Sequence, residues 1–587
     1  MSRLRTARGR WVMAVAVATA ICSLFLSEQG IAQTCKETFT AEVVALDQPF
    51  FYNRLGALNA NGMMYALRRD VVDKATGLPE SAGGVLLPGN VMLRPDKRPR
   101  PIVLRMNAGS CLEISFTNLL SPAPFVANNV PGVGQVDDQP LTREASIHVN
   151  GMQLVGSIAS DGSFVGRNAS SLAGPGQSKS YKFFAEYENT YLLYSMGATV
   201  GGEGGAGTIT FGLFGAVNVE PAGSEWYRSQ LTREEMDLAT EKNLDGSPKL
   251  TAQNHPILNY DAVYPNTQLY IDEGKAGLPI IRMIQGNTLV HSDINAIITG
   301  PGRGSFISGT HYRSTPVNPD QEKPFREFTV IFHDEVFAIQ SFAGFFGDPV
   351  LLHTLAGVRD TFAINYGTGG IGAESLANRL GVGPMWDCNE CKYEEFFLTS
   401  WAVGDPAMIV DIPANAGLEI LAPGQVPDPE LVGQKATKAL YPEDPAGVHH
   451  SYINDHVKMR NLHAGPKEQH MFHLHSHQWV FSPQNDNSSY LDGQTIGTGS
   501  GYTYDIANGG SGNRNKTPGD AIFHCHFYPH FAQGMWELWR IHDVFEQGTA
   551  LQAKVNPFDM NAPITGARAY PDGEIEVGTP IPGVVPI

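Results

Sequence analysis

Histidine is nearly missing from the first half of this chain: of eighteen in 587 residues, only His148 precedes position 255. Positive charge is also short, with 41 Lys and Arg against 59 Asp and Glu and a formal net charge of −18. That balance argues against a nucleic acid partner and suits a cationic substrate or an exported, acid-coated surface. Sustained heptads are absent, while Gly (63) and Pro (39) punctuate the text throughout, so an all-β chain is expected rather than a helical one. Beyond the N-terminus no apolar run approaches a bilayer span, so no integral membrane span is expected.

The N-terminus itself reads MSRLRTARGR, then an apolar run from Trp11 to Leu26, then SEQGIAQ. A basic stretch, a hydrophobic stretch and a small-residue cut site after Ala32 predict a secretory signal peptide over 1–32 and a periplasmic or secreted protein. Removing it takes away four arginines, one glutamate and Cys22. Five cysteines remain. In an oxidising compartment two pairs are expected: Cys35 with Cys111, and Cys388 with Cys391 in DCNEC as a short-loop disulfide or a metal clip. Cys525 is left over.

Three stretches share one strand–turn–strand text: PIVLRMNAGSCLEISFTNLL from Pro101, LPIIRMIQGNTLVHSDINAIIT over 278–299, and HVKMRNLHAGPKEQHMFHLHSHQWVF from His456. The echoes predict three similar β-sandwich domains. Composition loosens at GLFGAVNVEPAGSEWYRSQ and at ILAPGQVPDPELVGQ, giving limits of 33–220, 221–434 and 435–587, with a Pro- and Gly-rich tail after Phe545.

Twelve histidines crowd between His449 and His542. A blue copper site needs a thiolate, two imidazoles and a weak axial thioether. Cys525, His530 and Met535 supply three of these within eleven residues, and His470 in HMFHLHSH supplies the fourth from a neighbouring strand. Alternation along a strand turns His524 and His526 away from the copper that Cys525 binds. His473 and His475 turn the same way, so a second metal cluster is expected beside the first, joined to it through Cys525.

The spacing His470-x-x-His473-x-His475 with His524-Cys525-His526-x-x-x-His530-x-x-x-x-Met535 resembles the C-terminal copper signature of multicopper oxidases, and its phrasing is similar to large bacterial members that include manganese oxidases. The resemblance implies three cupredoxin-like Greek-key domains, one type 1 copper, and type 2 and type 3 coppers held by eight histidines. It also implies one-electron oxidation of Mn(II), Fe(II), Cu(I) or a phenol, dioxygen as acceptor, and room for a redox partner protein. In this chain five of the eight positions carry histidine: His148, His473, His475, His524 and His526. Asn150, Tyr194 and Met196 stand where the first domain should add three more.

That departure leaves three outcomes: His291, His333 or another middle-domain residue completes the cluster, the cluster is partial, or the blue site works alone. The corresponding functions are an oxidase, nitrite-reductase-like chemistry at a type 2 copper using His148 and His473, and an electron-transfer or copper-binding protein. Electrons are expected to enter at an exposed edge of His470 or His530, with Glu468 and Glu537 as carboxylates that could guide a cation.

Overall fold

A computed structural model describes residues 33–542 except 53–56, 60, 124–141, 164–165, 199–206, 251–255, 307–312, 337–338, 341–360 and 368–447, together with 584–586. The predicted signal peptide, Cys388, Cys391, His255, His311, His353 and most of the tail lie outside the described residues. No described helix is long and apolar enough to cross a membrane.

The all-β class holds: strands in several sheets dominate, and the described α-helices run five to seven residues. Chain order gives β1 (Thr38–Asp47), β2 (Met63–Leu67), β3 (Ile102–Asn107), β4 (Ser110–Asn118), β5 (His148–Val149), β6 (Ser178–Ala185), β7 (Asn189–Tyr194) and β8 (Phe214–Glu220). One sheet carries β6-β4-β1 with β2 on the far side of β1, and a second carries β3-β8-β7-β5. Their facing apolar residues, among them Phe39, Ile114, Tyr181, Leu193 and Val217, form one core. Cys35 and Cys111 are disulfide-bonded, tying the start of β1 to β4.

Next come β9 (Glu225–Arg228), α1 (Arg233–Ala239) and β10 (Asn295–Thr299). The polar stretch that follows the first sandwich forms α1. Its start is fixed by a capping box in which Thr232 and Glu235 satisfy each other's backbone N–H. The second sandwich uses β11 (Phe325–Val336), β12 (Thr361–Ile364), β13 (Val448–Tyr452), β14 (Val457–His463), β15 (His470–Leu474), β16 (Gly493–Ile496), β17 (Gly501–Asp505), β18 (Gly519–Cys525), α2 (Tyr528–Ala532) and β19 (Trp536–His542). Its sheets run β9-β10-β11-β14-β17, with β12 on β11, and β13-β19-β18-β15-β16.

The two sandwiches repeat one pairing scheme. Parallel β1–β4 corresponds to parallel β11–β14, parallel β3–β8 to parallel β13–β19, and antiparallel β5–β7 to antiparallel β15–β18. The middle echo is divided between the two: Ile284–Gln285 and Thr288–Leu289 extend the β1 sheet, while β10 joins the β11 sheet. Hence, among the described residues, 221–434 forms no pair of sheets of its own.

A buried ionic cluster bridges the sandwiches. Arg105 Nη2 lies 2.9 Å from Glu327 Oε1, and Arg460 reaches Glu327 at 2.9 Å and Glu220 at 3.0 Å. Asn218 donates to Glu327 and to Thr329. Burial, and then the Glu327 charge, push the Glu220 carboxyl well above the usual range. Burial also opposes ionising Glu327, but Arg105 and Arg460 outweigh it and hold Glu327 at about 2. The pair therefore keeps one proton, on Glu220. A raised folded-state value stabilises fully below the unfolded value of about 4.3 and is lost as pH rises through the folded value. Glu220→Gln, which mimics the protonated carboxyl, should raise the melting temperature above pH 7 and lose that advantage towards pH 4. Melting curves across that range check it.

Candidate metal centre

The β15–β18 register sets Phe472 opposite Cys525 and His473 opposite His524. Cys525 and His470 therefore face the core, both fully buried, while His473 and His524 take the other face. The chain beyond Cys525 folds back through α2. Cys525 N–H donates to the Met535 carbonyl at 3.0 Å, and Met535 N–H to the His530 carbonyl at 3.1 Å. These bonds fix the Met535 backbone next to that of Cys525, and its side chain is fully buried in the same core cluster.

Cys525 Sγ lies 3.5 Å from His530 Nδ1 and 3.8 Å from His470 Nδ1, and the two nitrogens are 3.0 Å apart. A point about 2 Å from all three atoms exists inside that triangle, close to imidazole and thiolate bond lengths to a first-row cation. Tautomers strengthen the reading. His530 Nε2 meets Glu468 at 2.9 Å, and His470 Nε2 faces Asp334 Oδ2 at 3.4 Å. The His530 bond places its proton on Nε2 and its lone pair on Nδ1, and the same tautomer of His470 would turn a second Nδ1 lone pair towards the sulfur. Without a metal the thiol proton can sit between the sulfur and an Nδ1; with the thiol ionised, the three donors suit a cation, and a carboxylate behind each ligating imidazole is the usual support of a metal site.

Burial keeps this donor set ready. It drives His470 down to about 3, with His530 as a lesser cause, and pushes the Cys525 thiol up to about 11. A metal here must displace the thiol proton but no proton from His470 at neutral pH. His470 Nε2 and Asp334 Oδ1 are buried without a hydrogen-bond partner, so a metal that fixes the His470 tautomer also gives this pair a reason to close up. Gly465 allows Asp334 its place, since a Cβ there would lie 2.4 Å from the carboxylate. Asp334→Asn should weaken copper binding by about 10- to 100-fold, read by competition with a chelator.

On the opposite face, His473, His475 and His524 bring ligand atoms within 4.8 Å of one another. His475 Nε2 and His524 Nε2 are 3.2 Å apart. His524 Nδ1 bonds the Cys525 carbonyl at 2.8 Å and His473 Nδ1 the Asp492 carbonyl at 3.0 Å, which directs the Nε2 lone pairs of both inward. Burial lowers His524 to about 4 and also lowers His475. The exposed His526 stands at the rim, its ring centroid 4.9 Å from that of His473.

His148 is not in either group. Its Nδ1 sits 2.7 Å from Asp161, and its ring packs edge-on against Tyr194. In the repeated scheme, His148 opposite Tyr194 occupies the place of His473 opposite His524. The first sandwich thus offers the same pair of positions but fills them with one histidine and one tyrosine. His291 bonds the Pro279 carbonyl, and His333 accepts the Tyr366 N–H, so neither joins the three-imidazole group. Met196 packs in the first sandwich, with its N–H on Ser146.

Two expectations about the electron path change. His470 is fully buried and His530 is buried as well, so the way out from the site runs through Glu468, which meets His530 Nε2 and whose side chain is 38% exposed. Glu537 is buried and bonds His449 at 2.8 Å. Six of the twelve crowded histidines serve the fold: His449 with Glu537 and Asn295, His450 with His542, His456 with Asp505, His463 between Gly465 N–H and the Glu468 carbonyl, and His477 between the His475 carbonyl and Gly512 N–H.

No family model matches the chain, and no curated protein matches it. Solved structures similar to it include a multicopper oxidase, at 12% identity and TM-score 0.34 over 86% of this chain and 89% of that one. A copper nitrite reductase from Nitrosomonas europaea gives 12% and 0.34 over 86% and 94%, and a blue copper oxidase from the same organism gives 12% and 0.32 over 86% and 86%.

Proposed function

We propose that this chain is a copper-dependent oxidoreductase that moves single electrons from a reductant at Glu468 and His530 to the imidazole group of His473, His475 and His524. The observation that carries the reading is the convergence of one buried sulfur and two Nδ1 atoms on a common point. Cys525, His470, His530 and Met535 would hold copper there, and copper so held supplies a one-electron couple tuned by its sulfur ligands. Every other part of the path belongs to the chain. The Glu468 carboxylate attracts Mn(II), Fe(II) or Cu(I), or accepts a phenol hydroxyl, against the His530 edge. Cys525 is bonded through its backbone to His524 and His526, a short covalent bridge between the two faces. The half-open group of His473, His475 and His524, with His526 at its rim, receives the acceptor, dioxygen in the leading reading. A periplasmic or secreted location belongs to the same proposal and rests on residues 1–32.

One observation favours a second reading: the three imidazoles gather at the spacing of a single ion. Three histidines with an open position suit one catalytic copper, as in nitrite-reductase-like chemistry. Copper per chain, measured with oxygen uptake on Mn(II), Fe(II) or a phenol, separates the readings. About four with uptake supports the oxidase, about two with nitrite turnover the reductase, and about one an electron carrier. A copper-free protein after loading would sink all three.

A further inference from the structure

A second candidate site is lined by none of the residues of the metal centre. A cavity of about 630 Å³ opens between the edge of the first sandwich, at β2 and the segment following Leu93, and residues 228–295. Its volume falls in the range of small-molecule sites. Polar side chains line much of it, and they are already engaged with one another, so the walls cannot collapse without stranding buried charge. Tyr264 and Tyr270 hydroxyls donate to Glu235 and Glu234.

Seven Lys or Arg and six Asp or Glu line the space. Three of the cations occupy five of the carboxylates: Arg94 pairs with Asp70 and Asp96, Arg228 with Glu235 and Asp293, and Lys275 with Asp96 and Glu273. The sixth carboxylate, Glu234, takes the Tyr270 hydroxyl. Among the described residues neither Arg69 nor Lys97 has a carboxylate at ion-pair distance, and the printed side-chain bond of Arg69 goes to the Gly274 carbonyl. Both cations still act on the ionisable groups around them at longer range. Burial opposes ionising Asp70, Asp96 and Asp293, yet Lys97 and the arginines outweigh it and hold all three low. Burial first, then Arg228, Lys97 and Arg69 among others, drive His291 to about 3.

We propose that this cavity binds a small organic oxyanion, a carboxylate or a phosphate ester, with Arg69 and Lys97 as its charge partners. An oxyanion would give Arg69 and Lys97 a charge-assisted partner at bonding distance, and the tyrosine rings offer apolar surface to a carbon skeleton. The proposal is independent of copper. Calorimetric titration of the full chain with citrate and, separately, with inorganic phosphate, at pH 7 and fixed ionic strength against chloride, tests it. Saturable binding of either probe at one per chain is expected, weakened at least about tenfold by Lys97→Gln and by Arg69→Gln and unchanged by the surface variant Lys323→Gln. Citrate alone would mark a carboxylate site, and phosphate alone a phosphate site. Lys97→Arg keeps the charge and should bind within about threefold of wild type, so it decides the matter if Lys97→Gln fails to fold. Failure of both probes to saturate, or wild-type binding by the folded glutamine variants, would overturn the proposal, and copper content should not change in any of them.

Discussion

Cys525→Ser should leave a folded protein with no blue colour and copper affinity at this site reduced by more than about 100-fold, beyond the range that outer hydrogen-bond partners account for. The thiol is fully buried and its Sγ lies near both Nδ1 atoms, so serine removes the thiolate while disturbing little packing. The pH dependence provides a second readout. Burial pushes the thiol up to about 11, so at neutral pH a proton competes with the metal for sulfur. His470, held near 3, contributes no such competition. Wild-type affinity should therefore rise about tenfold per pH unit between about pH 6 and 8, and the slope should flatten in Cys525→Ser. A chelator titration at three pH values is sufficient, and equal slopes in the two proteins would contradict the assignment of the thiolate as ligand.

Arg460→Met should cost about 3–5 kcal/mol, because a buried guanidinium is lost while its carboxylates remain. Arg460 is fully buried and touches Glu327, Glu220, Glu188 and Thr503 from one side chain. Without it, Glu327 keeps only Arg105 as a cationic partner in the cluster, and Lys458 must hold Glu188. Methionine fills similar space, so the loss reports charge rather than a void. Adding Glu220→Gln and Glu327→Gln to the same protein should recover part of the loss, since replacing a whole buried network is often close to neutral. Urea unfolding measures both, and an Arg460→Met protein within 1 kcal/mol of wild type, or about that by extrapolation error, would mean that the cluster does not join the sandwiches energetically.

The gathering of Cys525, His470 and His530 was legible because these residues sit within one strand, one short turn and one neighbouring strand. Alternation alone assigns Cys525 to one face and His524 and His526 to the other. Long-range pairing was not legible. The text at 278–299 reads like the other two strand pairs, yet its halves enter different sheets, because pairing depends on partners hundreds of residues away. The histidine crowd also misled. His449, His456 and His463 look locally like His473, and only the tertiary fold supplies Glu537, Asp505 and the backbone around residue 465 as their partners. Glu537 shows the same limit from the other side, since nothing near it in sequence announces that it is buried. The charged cavity had no signal at all, being assembled from residues between 64 and 295 with no shared motif.

The last described residues return to the middle of the chain. Val584 is fully buried among Tyr227, Leu231, Met236 and Ile297, and Val585–Pro586 pairs in parallel with Gln230–Leu231. Gln230 is also part of the cavity wall. The region beside that cavity therefore cannot finish folding until Val584–Pro586 has been made, and pairing across some 350 residues is slow by contact order. Bulk inserted next to Val585–Pro586 would hang from this closing strand, whereas an insertion in an exposed turn far from it would leave the pairing free to form.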